Sequence, residues 1–310
     1  MTQTTRIVAG LASVAGGAAL AAIATRNLRG ARRAPSTAKH VAAARSFNDG
    51  AALLALSALT DSAMEHYRGS FENPAMYVAL ASALAALGAS LHGGADRTAA
   101  SHDVRHAIQL GAAATGIAGT AFHLYNVTKR PGALSWHNLF YGAPLGAPFA
   151  LLLSGVLGSV AENLRDEPAA DPRLFGLPAG KALALVAAVG LAGTAAEAAL
   201  LHFRGAYQHP AMYAPVTVAP VGAALLLHSA FAAPAQSRRL GPFARLWLRL
   251  TALLGFAGMG FHANGIARLQ GGWRNWSQNL LGGPPLPAPP AFSALALAAL
   301  AALRMRETET

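Results

Sequence analysis

The sequence predicts an all-α polytopic membrane protein of about nine transmembrane helices, one leading helix followed by two four-helix units arranged as parallel repeats. Three observations carry that expectation. Hydrophobic residues make up 54% of the 310-residue chain and charged residues only 12%, about half the charged share of a soluble domain, and the mean hydropathy is +0.36. Apolar runs near the length that crosses a bilayer, roughly 20 residues, recur from end to end. Finally, HYRGSFENPAMY at 66–77 returns as HFRGAYQHPAMY at 202–213.

The runs fall near 7–25, 47–67, 74–92, 105–125, 145–163, 180–203, 211–232, 246–267 and 290–304, the last entered through GGPPLPAPP. Ala and Gly dominate them, and small residues let helix backbones approach closely where lipid removes the hydrophobic drive between helices. Residues 1–45 form the leading helix and a basic linker, 46–166 the first unit and 167–310 the second. Ala22-Ile23-Ala24 resembles a signal-peptide cleavage site, but cleavage would leave the basic stretch 26–45 on the wrong side of the charge rule, so an uncleaved span is expected. That linker either touches anionic lipid or is a solvated connector.

The net charge of +11 does not point to nucleic acid, because the basic residues sit in the connections between spans. Arg32, Arg33, Arg45, Arg97, Arg105, Arg165, Arg238 and Arg245 belong to the richer side, and Arg6, Arg68, Lys129, Arg130, Arg204, Arg268 and Arg274 to the poorer one. The positive-inside rule then puts the amino terminus outside and the carboxyl terminus in the cytoplasm of a bacterial inner membrane, with the repeated motif facing the periplasm. The absence of cysteine excludes disulfides, thiolate metal centres and covalently attached haem.

Further pairs extend the duplication: Asp61 with Glu197, His92 with His228, Phe122-His123 with Phe261-His262, Trp136 with Trp276, and Gly142-x-Pro144-Leu145 with Gly283-x-Pro285-Leu286. Each unit has an even number of spans, so both enter the membrane from the same side, as parallel repeats do. Within a unit the first and third helices of an up-down bundle are diagonal, which sets the HxRGxxxxPAMY wall against the Phe-His wall. Pro74 and Pro210 suit a helix start, where amides lack intrahelical partners.

His66 with His123, and His202 with His262, are therefore expected at matching depth on opposite helices. Two imidazoles approaching from opposite sides suit the axial positions of a b-type haem. Arg68 and Arg204, at the outer boundary, suit its propionates. The plainer reading has the same histidines hydrogen-bonding loop backbone. Met76 and Met212 would join them around copper, the alternative metal, or serve as flexible packing. Asp61 and Glu197 lie inside spans, where a carboxylate is expensive and a functional candidate, for a proton path or as a polar tether. His92 and His228 fall about 27 Å along the second helix from its proline, at the inner surface. There His102 and His106 accompany the first but no histidine accompanies the second. Trp136, Trp273 and Trp276 read as interface aromatics, and Pro215 and Pro220 as bends.

Three functional classes fit these features. The first is a membrane redox protein or oxidoreductase subunit, with bis-histidine haem sites linking a periplasmic dehydrogenase or carrier to the quinone pool. The second is an anchor or assembly subunit whose outer Tyr, Trp and Arg dock an extracytoplasmic partner. The third is a proton-coupled transporter or channel using Asp61 and Glu197.

Overall fold

In the computed structural model, residues 38–142, 144–166, 173–174, 176–232 and 234–307 are described; the expected leading span at 7–25 lies outside them. The described chain is helical apart from one minimal hairpin. Helix α1 covers Ala38–Arg68, α2 Met76–Ala95, α3 Asp103–Thr128, α4 Trp136–Tyr141 and α5 Gly146–Asp166. Strands β1 (Arg173–Leu174) and β2 (Leu177–Pro178) pair antiparallel, Arg173 opposite Pro178. Then follow α6 (Ala179–Arg204), a 3-10 turn (Pro210–Tyr213), α7 (Ala214–Phe231), α8 (Pro234–Ala267), a second 3-10 turn (Gly272–Asn275), α9 (Trp276–Gly282) and α10 (Pro290–Arg306).

Five stretches are long and apolar enough to cross a membrane: Met76–Ala95, Gly146–Arg165, Ala179–Arg204, Pro210–Phe231 and Arg239–Ala267. The other long helices fall short for identifiable reasons. Polar side chains dilute α1 (Asn48, Asp49, Asp61, Glu65) and α3 (Arg105, His106, Gln109), and α10 has only 17 residues.

Helices α1, α2, α3 and α5 form one ring in which each packs on the next, leaving α1 and α3 diagonal; α6, α7, α8 and α10 form a second ring. The rings meet where α10 lies against α1, and the main core fills this seam with Phe47 and Leu54 from α1, Leu157 from α5, Leu191 from α6 and Leu295 from α10. An alanine-rich cluster of Ala55, Ala58, Ala83, Ala86 and Ala112 with Leu151 fills the first ring. Small side chains bring α3 and α5 to near backbone contact: a Cβ on Gly116 would collide with the backbone of Leu152, and one on Gly155 with that of Ala113. By contrast, α2, α3, α7 and α8 expose large apolar residues, among them Leu84, Leu91, Ile117, Phe122, Phe231, Leu253 and Phe256. An apolar belt of this extent needs an apolar solvent.

Two helices begin earlier than hydropathy predicts. Helix α1 starts at Ala38 instead of 47, inside the expected linker, because Ala44 and Phe47 are buried and Arg45 Nε donates to the Gly94 carbonyl at 2.7 Å. Helix α8 starts at Pro234 instead of 246 and carries Pro242 within it. Its basic first turns lower the hydropathy but leave the helix intact, and Arg245 pairs with Glu307 beyond α10.

Candidate functional site

The repeated motif closes the chain back on itself at the end of α1 and again at the end of α6. Gly69 N–H donates to Glu65 O and Phe71 N–H to His66 O; Gly205 N–H donates to Leu201 O and Tyr207 N–H to His202 O. This return needs left-handed backbone at Ser70 and Phe71 (φ 52° and 48°) and at Ala206 and Tyr207 (φ 56° and 46°), a conformation costly for residues other than glycine. Aromatic stacking offsets the cost. Phe71 lies on Tyr77 at 4.4 Å and 11°, and Tyr207 on Tyr213 at 4.5 Å and 15°. The first amide after the proline is capped by Asn73 Oδ1 at 3.0 Å in one copy and by His209 Nδ1 at 3.1 Å in the other. The methyls of Met76 and Met212 pack towards Gly69 and Gly205.

The histidines complete the closure. His66 Nδ1 lies 3.1 Å from Met76 O and His202 Nδ1 2.7 Å from Met212 O. His123 Nδ1 lies 2.6 Å from Pro144 O, and His262 Nδ1 2.8 Å from Pro285 O. A carbonyl only accepts, so each Nδ1 carries the proton, and in the neutral ring Nε2 then keeps its lone pair. The plain role expected of these residues is thus present at all four, and it uses one ring nitrogen of each. Across each ring of helices His66 lies within electrostatic reach of His123, and His262 of His202.

The arginines differ between copies. Arg68 pairs with Glu65 at 2.7 Å, both well exposed. Position 201 is Leu, and Arg204 instead crosses to the first half, its guanidinium 5.7 Å from the centre of Phe140 and 5.6 Å from that of Tyr141. Asp61 makes no direct bond to Arg68, although it lies within range of Glu65 and Arg68. Glu197 Oε1 accepts from Gly146 N–H at 2.8 Å, and a Cβ at Gly146 would occupy the place of the Glu197 carboxyl. Glu197, from the second half, also lies within electrostatic reach of Asp61 in the first.

The opposite end of the first half holds a buried ion cluster. Glu162 accepts from Arg105 Nε and Nη2, both at 2.9 Å, and from His102 N–H at 2.8 Å. Asp96 takes Arg105 Nη1 at 2.6 Å. Burial opposes ionisation of Asp96, but the Thr98 N–H and the Arg105 guanidinium outweigh it and hold the carboxyl well below its usual range. Arg165 donates to the carbonyls of Gly93, Asp96 and Thr98. His92 and His102 meet edge to face at 5.7 Å, and Arg105 engages the Nδ1 of each, through Nη1 to His92 and the backbone N–H to His102. These imidazoles therefore belong to the ion cluster.

Two pairs escaped sequence reasoning. Asn138 Nδ2 donates to Pro131 O and Ala133 O, and Asn279 Nδ2 to Gln270 O and Gly272 O. Arg165 Nη2 donates to Gly93 O and Arg306 Nη2 to Ser229 O. The signal was the Gly142/Gly283 spacing, which aligns both pairs; the tryptophans, one residue out of that register, obscured it. Among the described residues no three His, Cys, Asp or Glu side chains are grouped closely enough to hold a metal. Compared with known protein families, with curated proteins and with solved structures, the chain matches none.

Proposed function

We propose that the chain is an integral membrane redox protein of the bacterial inner membrane, with two outward-facing bis-histidine sites that each take a b-type haem and link a periplasmic donor to the quinone pool. The proposal includes nine spans, two parallel four-helix units, an external amino terminus and a cytoplasmic carboxyl terminus. The feature that supports it is the duplicated arrangement of four histidines, each pair within electrostatic reach across its ring of helices. Each Nδ1 lies beside a backbone carbonyl, which in the neutral ring leaves Nε2 free to ligate; separate backbone bonds of this kind also serve the plain role of closing the loops. A histidine ligand is characteristically fixed in this way through its other nitrogen. Each site offers two imidazoles that would hold a b-type haem, whereas among the described residues no third His, Cys, Asp or Glu is grouped with them as a zinc-type centre would need. Copper remains the alternative, with Met76 and Met212 adding soft sulfur beside the histidines.

When bound, the haem supplies one-electron transfer. The protein's part is to hold the four rings in one tautomer through Met76, Met212, Pro144 and Pro285, to place Arg68 at the outer boundary, and to keep Asp61 and Glu197 inside as proton-holding groups. Detergent-purified protein from a haem-replete host should show a Soret band, and His123→Ala with His262→Ala should abolish it while far-UV circular dichroism stays helical. Colourless, metal-free protein would overturn the proposal.

A second reading is favoured by Asp61 and Glu197, which lie within electrostatic reach of each other from opposite halves, as the coupling residues of a two-unit transporter do. Proton-driven flux into proteoliposomes, lost in Asp61→Asn, would select it.

A further inference from the structure

One outer cavity belongs to neither histidine pair. It is an open groove of about 250 Å³ where the halves meet, lined by Trp136, His137, Phe140 and Tyr141 of α4 and by Phe203 at the end of α6. Its rings touch in sequence: Trp136 and Phe140 at 6.1 Å, His137 and Tyr141 at 4.9 Å, Phe140 and Tyr141 at 4.7 Å, and Phe140 edge-on to Phe203 at 5.7 Å. Aromatic residues are enriched at membrane interfaces as belts; these five line one groove. The repeat keeps only the tryptophan, Trp276: in the register that aligns Asn138 with Asn279, Gln278, Leu281 and Gly282 stand for His137, Phe140 and Tyr141.

Ring-lined hollows commonly take a cation, but this one already has one. Arg204 lies against Phe140 and Tyr141, and no described carboxylate pairs with it, because the Glu65 that neutralises Arg68 is replaced by Leu201. A second cation would meet like charge. The cavity sits just below the usual size of a ligand pocket, enough for a single ring. We infer that it binds a neutral, planar, oxygen-bearing ring on an apolar tail, namely the head group of a benzoquinone. The ring stacks among Phe140, Tyr141 and Phe203, and Arg204 or His137 donates to a ring oxygen. The choice of quinone rests on the redox reading above.

The test titrates the protein in lipid nanodiscs with decylubiquinone while following tryptophan fluorescence, with Trp136→Phe setting the background. Saturable quenching that weakens about tenfold or more in Phe140→Ala and in Arg204→Ala, and is unchanged in Arg274→Ala, supports the inference. Quenching that never saturates, or that ignores both variants, overturns it, as does competition by tetramethylammonium. The same titration on the His123→Ala/His262→Ala protein separates the two proposals. Retained binding there stands whether or not the wild type carries haem, and a haem-containing wild type without saturable binding removes the quinone site alone.

Discussion

Replacing Glu162 by Ala offers the most direct energetic test of how the two halves differ. Glu162 and Arg165 are fully buried, and Arg105 is only 3% exposed. With Asp96 the cluster holds two positive and two negative charges. Removing the carboxylate deletes two charge-assisted bonds to Arg105 and the cap on His102 N–H, and leaves two buried guanidiniums sharing Asp96. Breaking a buried pair from one side costs about 3–5 kcal/mol, roughly two to three and a half decades in the folding constant. Equilibrium unfolding in mixed micelles, titrated with SDS and followed by circular dichroism, reads this directly. Glu162→Leu combined with Arg105→Met removes opposite charges together and should recover most of the loss. The second half already carries the apolar version, with Ala244, Leu248 and Leu303 buried at the positions matching Arg105, Gln109 and Glu162. A Glu162→Ala loss below about 1 kcal/mol would mean that water reaches the cluster and the buried-pair reasoning fails.

Two further outcomes follow from the same network and from the loop anchors. Asp96 has a folded pKa below its ordinary 3.8, so its stabilisation is full above about pH 4 and fades as pH falls towards the folded value. Asp96→Asn should therefore lower stability at pH 7 and flatten its decline below pH 4, and an unchanged acid profile would count against the Arg105 pairing. Asn138→Ala or Asn279→Ala leaves two loop carbonyls without their donor and should cost about 1–3 kcal/mol each; proteolysis of the loops they anchor should rise in step, and no change in either would show that water replaces the amide.

The helix positions were legible because apolar runs and prolines report local chain behaviour, and the described helices fall where those runs lie. Their starts were less legible. Phe47 and Arg45 extend α1 through contacts with residues far along the chain, which no hydropathy window registers. The four histidines were legible through duplication. Their shared tautomer was not, since it depends on carbonyls that arrive at His66 from α2 and at His123 from the entry to α5.

By itself the sequence determined the lipid-compatible composition, the recurrence of the HxRGxxxxPAMY motif and the pairing of residues at matching positions, because these are properties of residue type and spacing. Only the tertiary structure decided that Glu197 accepts from Gly146 of the other half, that Arg204 leaves its own half for the rings of α4, and that one end of the first half hides an ion cluster. Each of these depends on which faces of packed helices touch. Two nearly identical motifs can acquire different neighbours once a single residue, such as Leu201 in place of Glu65, leaves a charge to find another partner.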